Sequence, residues 1–320
     1  MDQRRLGRSG LAVSAVGLGC NNLGRPGTAT ETPEGARAVV DAALDSGITF
    51  FDTADAYGSP CGRGEELLGR ALAGKRGEAV IATKFGADVR GANGPDFGAR
   101  GSRSYVRRAV EASLRRLGTE WIDLHQVHRA DPLTPLDETL SALDDLVRDG
   151  KIRYVGHCAL AGWELADATW AARSAGWATP IAVQTHYSLL EREAERELLP
   201  ACQHYGVGVV PAFPLASGLL TGKYRQDQNP PPGSRLAADR GELADAPWDR
   251  IEQLRRFADR RGLAMTEVAV GWLASRAAIG PVICGATTPE QVRSNAAAGR
   301  WRPGPEDLAE IDEICPPGRR

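Results

Sequence analysis

Along the chain a short apolar, β-branched run is followed by a longer run with amphipathic spacing, and this pair repeats to the C-terminus. The first strand reads Ala15-Val16-Gly17-Leu18-Gly19, and a helix is predicted over 32–46, with Pro33 in its first turn and Gly47 just past its end. Further strands are predicted at 49–53, 79–84, 122–128, 152–156, 181–184, 208–212 and 282–284. The intervening helices fall near 65–73, 105–117, 135–148, 163–175 and 193–205, with a pair near 248–261 and 266–277 before the last strand. Strands alternating with helices in this way predict an α/β fold, a parallel sheet closed into a (β/α)8 TIM barrel.

Three segments break the rhythm. Residues 3–13 read as a hairpin with Arg8-Ser9-Gly10 as its turn, placed before the first barrel strand. Residues 217–245, containing Asn229-Pro230-Pro231-Pro232-Gly233, form a connection of the length that usually carries function, and 86–103 is a shorter, glycine-rich insertion. The alternation resumes on both sides of each, so a single domain over 1–320 is expected. An open doubly wound sheet would want G-x-G-x-x-G after an early strand; Gly17-x-Gly19 is present but Asn22 stands where the third glycine belongs.

Composition narrows the function classes. The hydrophobic fraction of 42% and charged fraction of 25% are ordinary for a globular chain, and a net charge of -2 gives no electrostatic case for nucleic acid or an anionic membrane. No apolar run approaches the roughly 20 residues that span a bilayer. The six cysteines are scattered, without C-x-x-C or metal-ligand spacing, which suits a reducing compartment, so no metal and a cytoplasmic location are expected. The seven tryptophans fall mostly at helix positions, where core packing is the expectation.

In an α/β barrel, polar residues at the C-terminal ends of strands face the mouth. The strand ends supply Asp52, Lys84, His128 and Gln184, with Cys158 nearby, and Tyr57 follows the second strand on its loop. Taken singly, Asp52 also fits a turn cap and Lys84 a solvated strand end. Together they form a set for moving a proton to a carbonyl oxygen: an ammonium lowers the pKa of a neighbouring phenol, a carboxylate holds the ammonium, and an imidazole binds the oxygen. His125 and His128, three apart on one strand, point to opposite faces, so they make no metal pair and His125 is expected to pack.

The run Phe51-Asp52-Thr53-Ala54-Asp55-Ala56-Tyr57-Gly58 followed by Glu65-Glu66-Leu67-Leu68-Gly69 resembles the signature of the aldo-keto reductase family. Ala82-Thr83-Lys84, Ile122 through His128, Gly150 through Gly156, Pro214 through Tyr224 and Gly285 through Gln291 resemble its later motifs in order, covering nearly the whole chain. The likeness is to the branch that includes bacterial reductases and voltage-channel β-subunits. It implies NADPH-dependent reduction of an aldehyde or ketone, with Tyr57 as proton donor, Lys84 and Asp52 tuning it, and His128 orienting a small carbonyl substrate. The implied cofactor positions are Cys158, Gln184 and Ala212 about the nicotinamide, and Leu215 and Ser217 in the strand-seven loop. Lys223 and Arg235 are implied near a 2′-phosphate, and Gly285, Thr287, Gln291 and Asn295 around phosphate and adenine.

The departures cluster at the nicotinamide. His157-Cys158-Ala159 stands where the family usually shows serine followed by a polar residue, and Ala212, with Phe213 next, stands where an aromatic ring usually stacks on the nicotinamide. The ring pocket is therefore expected to be reshaped for an unusual substrate, as in specialised metabolism. Two other readings share these residues: an NADP(H)-binding barrel with lyase or isomerase activity, and a cofactor-binding regulatory subunit.

Overall fold

A computed structural model describes residues 1–237 and 240–317; residues 238 and 239, within the connection predicted over 217–245, lie outside the described residues. Among the described residues an antiparallel pair, β1 (Gln3–Arg5) and β2 (Ala12–Ser14), precedes eight parallel strands. These are β3 (Val16–Gly19), β4 (Phe50–Asp52), β5 (Val80–Phe85), β6 (Ile122–Val127), β7 (Ile152–Cys158), β8 (Pro180–His186), β9 (Gly208–Ala212) and β10 (Val282–Gly285). The sheet runs from β10 through β3 and on in sequence order to β9, and β9 reaches back toward β10 through hydrogen bonds of 2.7 Å from Val209 N to Ala278 O and from Gly280 N to Val209 O. The result is the nearly closed (β/α)8 barrel that the alternation predicts.

Around it lie α1 (Pro33–Asp45), α2 (Arg63–Ala71), α3 (Arg103–Leu117), α4 (Leu136–Arg148), α5 (Gly162–Ala175) and α6 (Leu198–Tyr205), then α7 (Arg240–Ala244), α8 (Trp248–Arg260), α9 (Met265–Ser275), α10 (Pro289–Ala298) and α11 (Pro305–Ile314). Local chemistry sets their ends: the Thr32 side chain accepts from Gly35 N at the start of α1, and Gly118, at φ 62°, closes α3 in the left-handed conformation that costs other residues energy. No described helix is long and apolar enough to cross a membrane.

Strand periodicity of two sorts side chains into two cores. Ile81, Phe85, Val127, Val155, Val183 and Val209 pack outward against the helices. Phe50, Ala82, Leu124, Ala182, Val210 and Ile283 point inward, and Leu6, Leu11 and Val13 of the hairpin join them, plugging the N-terminal end. This is why the hairpin turn is wider than the predicted Arg8-Ser9-Gly10: Arg5 pairs with Ala12, and the leucines of the connecting loop are drawn into the plug.

Other expectations change with tertiary context. The predicted 193–205 helix breaks into a 3-10 turn, Glu193–Glu195, and α6. The buried Arg192 at the break bonds Glu195 and reaches Asp312 of α11, an element absent from the sequence reading. The 217–245 connection is built rather than open, with 3-10 turns at Ala216–Thr221 and Arg235–Ala237, the helix α7, and Tyr224 Oη accepting from Leu236 N at 3.1 Å. Trp163 and Trp170, expected in the core, are exposed on the outer face of α5.

Candidate active site

Asp52 and Lys84 each stand two residues beyond an inward core residue, Phe50 and Ala82, so strand alternation aims both into the barrel mouth. Lys84 is fully buried, and its ammonium donates to Asp52 Oδ2 at 2.8 Å, to Thr53 O at 2.8 Å and to Tyr57 Oη at 3.3 Å. Tyr57 is placed by a turn in which its N–H bonds Ala54 O, and the ammonium also lies 4.9 Å from its ring centre. His128 sits one residue past β6, held by its N–H to Phe85 O at 2.7 Å, with its ring edge-on to Tyr57 at 6.0 Å. The four expected residues thus converge. His125 points the other way, buried and stacked on Phe85 at 4.9 Å.

The electrostatics differ from the sequence expectation in one respect. Burial alone would push the Lys84 ammonium down, but Asp52 and Tyr57 outweigh it and hold Lys84 above its ordinary value. Tyr57 is raised rather than lowered: burial disfavours the phenolate more than Lys84 favours it, and Asp52 adds to the rise. His128 is lowered to about 3, first by burial and then by Lys84 and Arg129, so its imidazole is neutral near pH 7.

The facing wall is built differently. Cys158 and Gln184 are adjacent strand ends, paired in register, and the thiol approaches Gln184 Oε1 at 3.7 Å. Cys158 lines the mouth, and burial, opposed by Lys84 and aided by Asp52, pushes its thiol up to about 12, leaving it a protonated donor. Ala159 follows in the left-handed conformation, φ 53°, its N–H spent on Gln184 O at 2.8 Å. Ala212 pairs with His186 at the end of β9. Phe213, next in the chain, adopts φ 53°, and its ring meets His186 at 4.6 Å while the Arg235 guanidinium lies 5.2 Å from its centre.

Toward the rim the chain offers groups suited to an anion. Leu215 leads into left-handed turns at Ala216, Ser217 and Gly218, in which the N–H groups of Ala216 and Gly218 donate to Phe213 O and Leu215 O, each at 2.8 Å. A methyl on Gly218 would lie 3.3 Å from Lys223 Nζ, which stands 5.1 Å from the centre of the Tyr224 ring. Beyond Gly285, Thr288 caps α10, and Gln291 Oε1 accepts from Thr287 N at 2.8 Å and from Thr287 Oγ1 at 3.2 Å. The α10 N-terminus carries the partial positive charge that attracts phosphate. Asn295, one turn further along α10, is buried, and its amide donates back to Gly285 O at 3.2 Å. A phosphate-bearing cofactor fits this rim, whereas the ring end holds one amide, one thiol and two alanines.

Two polar groups were missing from the sequence reading. Gln126 is fully buried, with both amide atoms lacking a hydrogen-bond partner among the described residues, and it pairs in register with Lys84. Its position two residues after the inward Leu124 was the available signal. Gly156 admits it: a methyl there would lie 3.1 Å from Gln126 Cγ. Glu65 is also fully buried, bonded by Thr83 Oγ1 at 2.6 Å and Arg116 Nε at 2.7 Å, behind the wall that carries Lys84.

Residues 15–316 match the Aldo/keto reductase family. The versiconal hemiacetal acetate reductase of Aspergillus parasiticus is 34% identical, across 98% of this chain and 96% of the relative. The L-glyceraldehyde 3-phosphate reductase of Escherichia coli (strain K12) is 35% identical, across 98% and 92%. A putative voltage-gated potassium channel subunit beta of Schizosaccharomyces pombe is 35% identical, across 97% and 92%.

Proposed function

The chain belongs to the aldo/keto reductase family, and from that premise we propose that it is an NADPH-dependent reductase converting an aldehyde or ketone to an alcohol, with Tyr57 as proton donor. The observation that carries this reading is the buried ammonium of Lys84, shared between Asp52 and the Tyr57 phenolic oxygen. A bound nicotinamide cofactor supplies the hydride. The protein's part is to hold the carbonyl oxygen and protonate it. As the Tyr57 proton leaves, the Lys84 ammonium already donates to the phenolic oxygen, so the emerging phenolate is stabilised without rearrangement. Asp52 keeps that ammonium charged in a site where burial works against it. His128, neutral, binds the carbonyl oxygen by hydrogen bonding and adds no competing charge.

Lys223, Arg235 and the α10 N-terminus support a cofactor held mainly by its phosphates, and the cations favour the 2′-phosphate that separates NADPH from NADH. Two reductases among the relatives carry carbonyl or hemiacetal compounds in their names, which supports a small carbonyl substrate. The unpaired cysteines suit a reducing compartment such as the cytoplasm. Fluorescence titration with NADPH and NADH, followed by a carbonyl panel, tests the reading. NADPH is expected to bind more tightly, and carbonyl-dependent NADPH oxidation is expected to fall by about 10²–10⁴-fold in Tyr57→Phe. Wild-type oxidation in that variant overturns the role of Tyr57. The poorly furnished ring end favours one second reading, a non-redox lyase or isomerase, which Tyr57-dependent conversion without NADPH consumption would support.

A further inference from the structure

Asp55 lies between Asp52 and Tyr57 on the same loop, and its side chain is fully buried. Asn93, also buried, reaches it from the 86–103 connection, donating Nδ2 to Asp55 Oδ2 at 2.7 Å and to Tyr105 Oη at 3.4 Å. The other two oxygens of the pair, Asp55 Oδ1 and Asn93 Oδ1, are buried without a hydrogen-bond partner among the described residues. A carboxylate beside an amide oxygen leaves two acceptors and no proton, an arrangement that buried polar groups avoid. A proton on Asp55 Oδ1 would give the pair the donor it lacks, for Asn93 Oδ1 to accept, while Asn93 Nδ2 continues to donate to Asp55 Oδ2.

We propose that Asp55 is held as a neutral carboxylic acid in a reciprocal acid–amide pair with Asn93, and that this pair positions Tyr57 by locking its loop to the 86–103 connection. The surroundings agree. Burial, then the charge of Glu65 on α2, raises the Asp55 carboxyl to about 7, against the opposing effects of Asn93, of Arg116 on α3 and of Lys84 on β5. Glu65 is itself engaged by Thr83 and Arg116, Lys84 by Asp52 and Tyr57, and Tyr105 of α3 stands on the far side of Asn93. Losing the proton places a second negative charge beside Glu65 and turns one of the pair's two bonds into a repulsion between acceptors. The loops on either side of the mouth then lose their common anchor. Asp55 is a positioning residue that acts through Tyr57.

The consequence for catalysis rests on the reductase reading; the protonation state does not. Infrared titration of the intact wild-type chain should show the carbonyl band of a protonated carboxylic acid near neutral pH, absent in Asp55→Asn, whose amide mimics the neutral acid. A raised folded-state carboxyl binds a proton that the unfolded chain has already released, so its contribution to stability falls as pH rises from about 4 to about 7. The melting temperature of Asp55→Asn should therefore gain on wild type across that range and hold its lead above it. In turnover, wild-type kcat should fall about tenfold or less toward pH 9, at nearly constant KM, and this fall should be missing in Asp55→Asn. An Asp55 already ionised at pH 6 in the infrared overturns the pair, and an unchanged alkaline fall in Asp55→Asn overturns its role in positioning. If no carbonyl compound is turned over at any pH, the reductase reading fails while the infrared titration still decides the pair. That titration also stands on the wild type alone if Asp55→Asn does not fold.

Discussion

The two walls of the barrel mouth solve the same placement problem by different physics. On one, Asp52, Lys84 and Tyr57 are joined through a single buried ammonium whose every contact carries charge or partial charge. On the other, Cys158, Ala159 and Gln184 are joined by one weak thiol contact and one backbone hydrogen bond, and Ala212 beside them pairs with His186 in the strand register. A buried charge left without its partner costs several kcal/mol, so the first wall admits little variation. Each neutral contact on the second wall contributes only about 1 kcal/mol, so such contacts can be exchanged singly without loss of the fold.

The largest effect is expected from Lys84→Met. It strands Asp52 in the interior and removes the ammonium from Tyr57, so stability should drop by about 3–5 kcal/mol and carbonyl reduction should be lost. Adding Asp52→Asn should recover much of the stability and none of the activity, as chemical denaturation and turnover assays would show; recovery of both would mean that the pair is structural only.

Acid should weaken the barrel as a whole. His125 and His128 are lowered to about 3 and His157 to about 4, in each case chiefly by burial. An unfolded histidine takes up its proton near pH 6.5, so the stability present above that value is lost as pH falls toward 4, by up to about 1.4 kcal/mol per unit for each histidine. His125→Phe should flatten this slope in melting curves recorded from about pH 7 to about pH 4.5.

Changes on the neutral wall should be milder. In Ala159→Asn a residue tolerant of positive φ replaces one that is not, and the new side chain can offer a carboxamide contact. A gain of about 1 kcal/mol, or roughly 2 °C in Tm, is expected, with NADPH bound up to about tenfold more tightly. Cys158→Ser exchanges a weak donor for a stronger one beside Gln184 and should tighten NADPH only about two- to fivefold. Weaker binding in both variants would show that the wall is shaped for something other than the nicotinamide ring.

Much of this was legible from the residues. Asp52, Lys84 and His128 are strand-end polar residues, and the alternation that aims them inward is a property of any strand. Gln126 obeys the same rule, but a lone amide in an apolar run has no characteristic spacing to mark it. The Asp55–Asn93 pair was not legible: it joins a strand-end loop to a glycine-rich insertion whose path follows from no local pattern.

The sequence by itself determined the order of strands and helices, the inward and outward faces of each strand, and the family, because these depend on periodicity and near neighbours along the chain. Only the tertiary structure decided the proton balance and the furnishing of the mouth. Tyr57 is raised although Lys84 touches it, since burial depends on everything packed around the ring. Phe213 turns against His186 and Arg235, since a single positive φ redirects a side chain that alternation would have sent elsewhere.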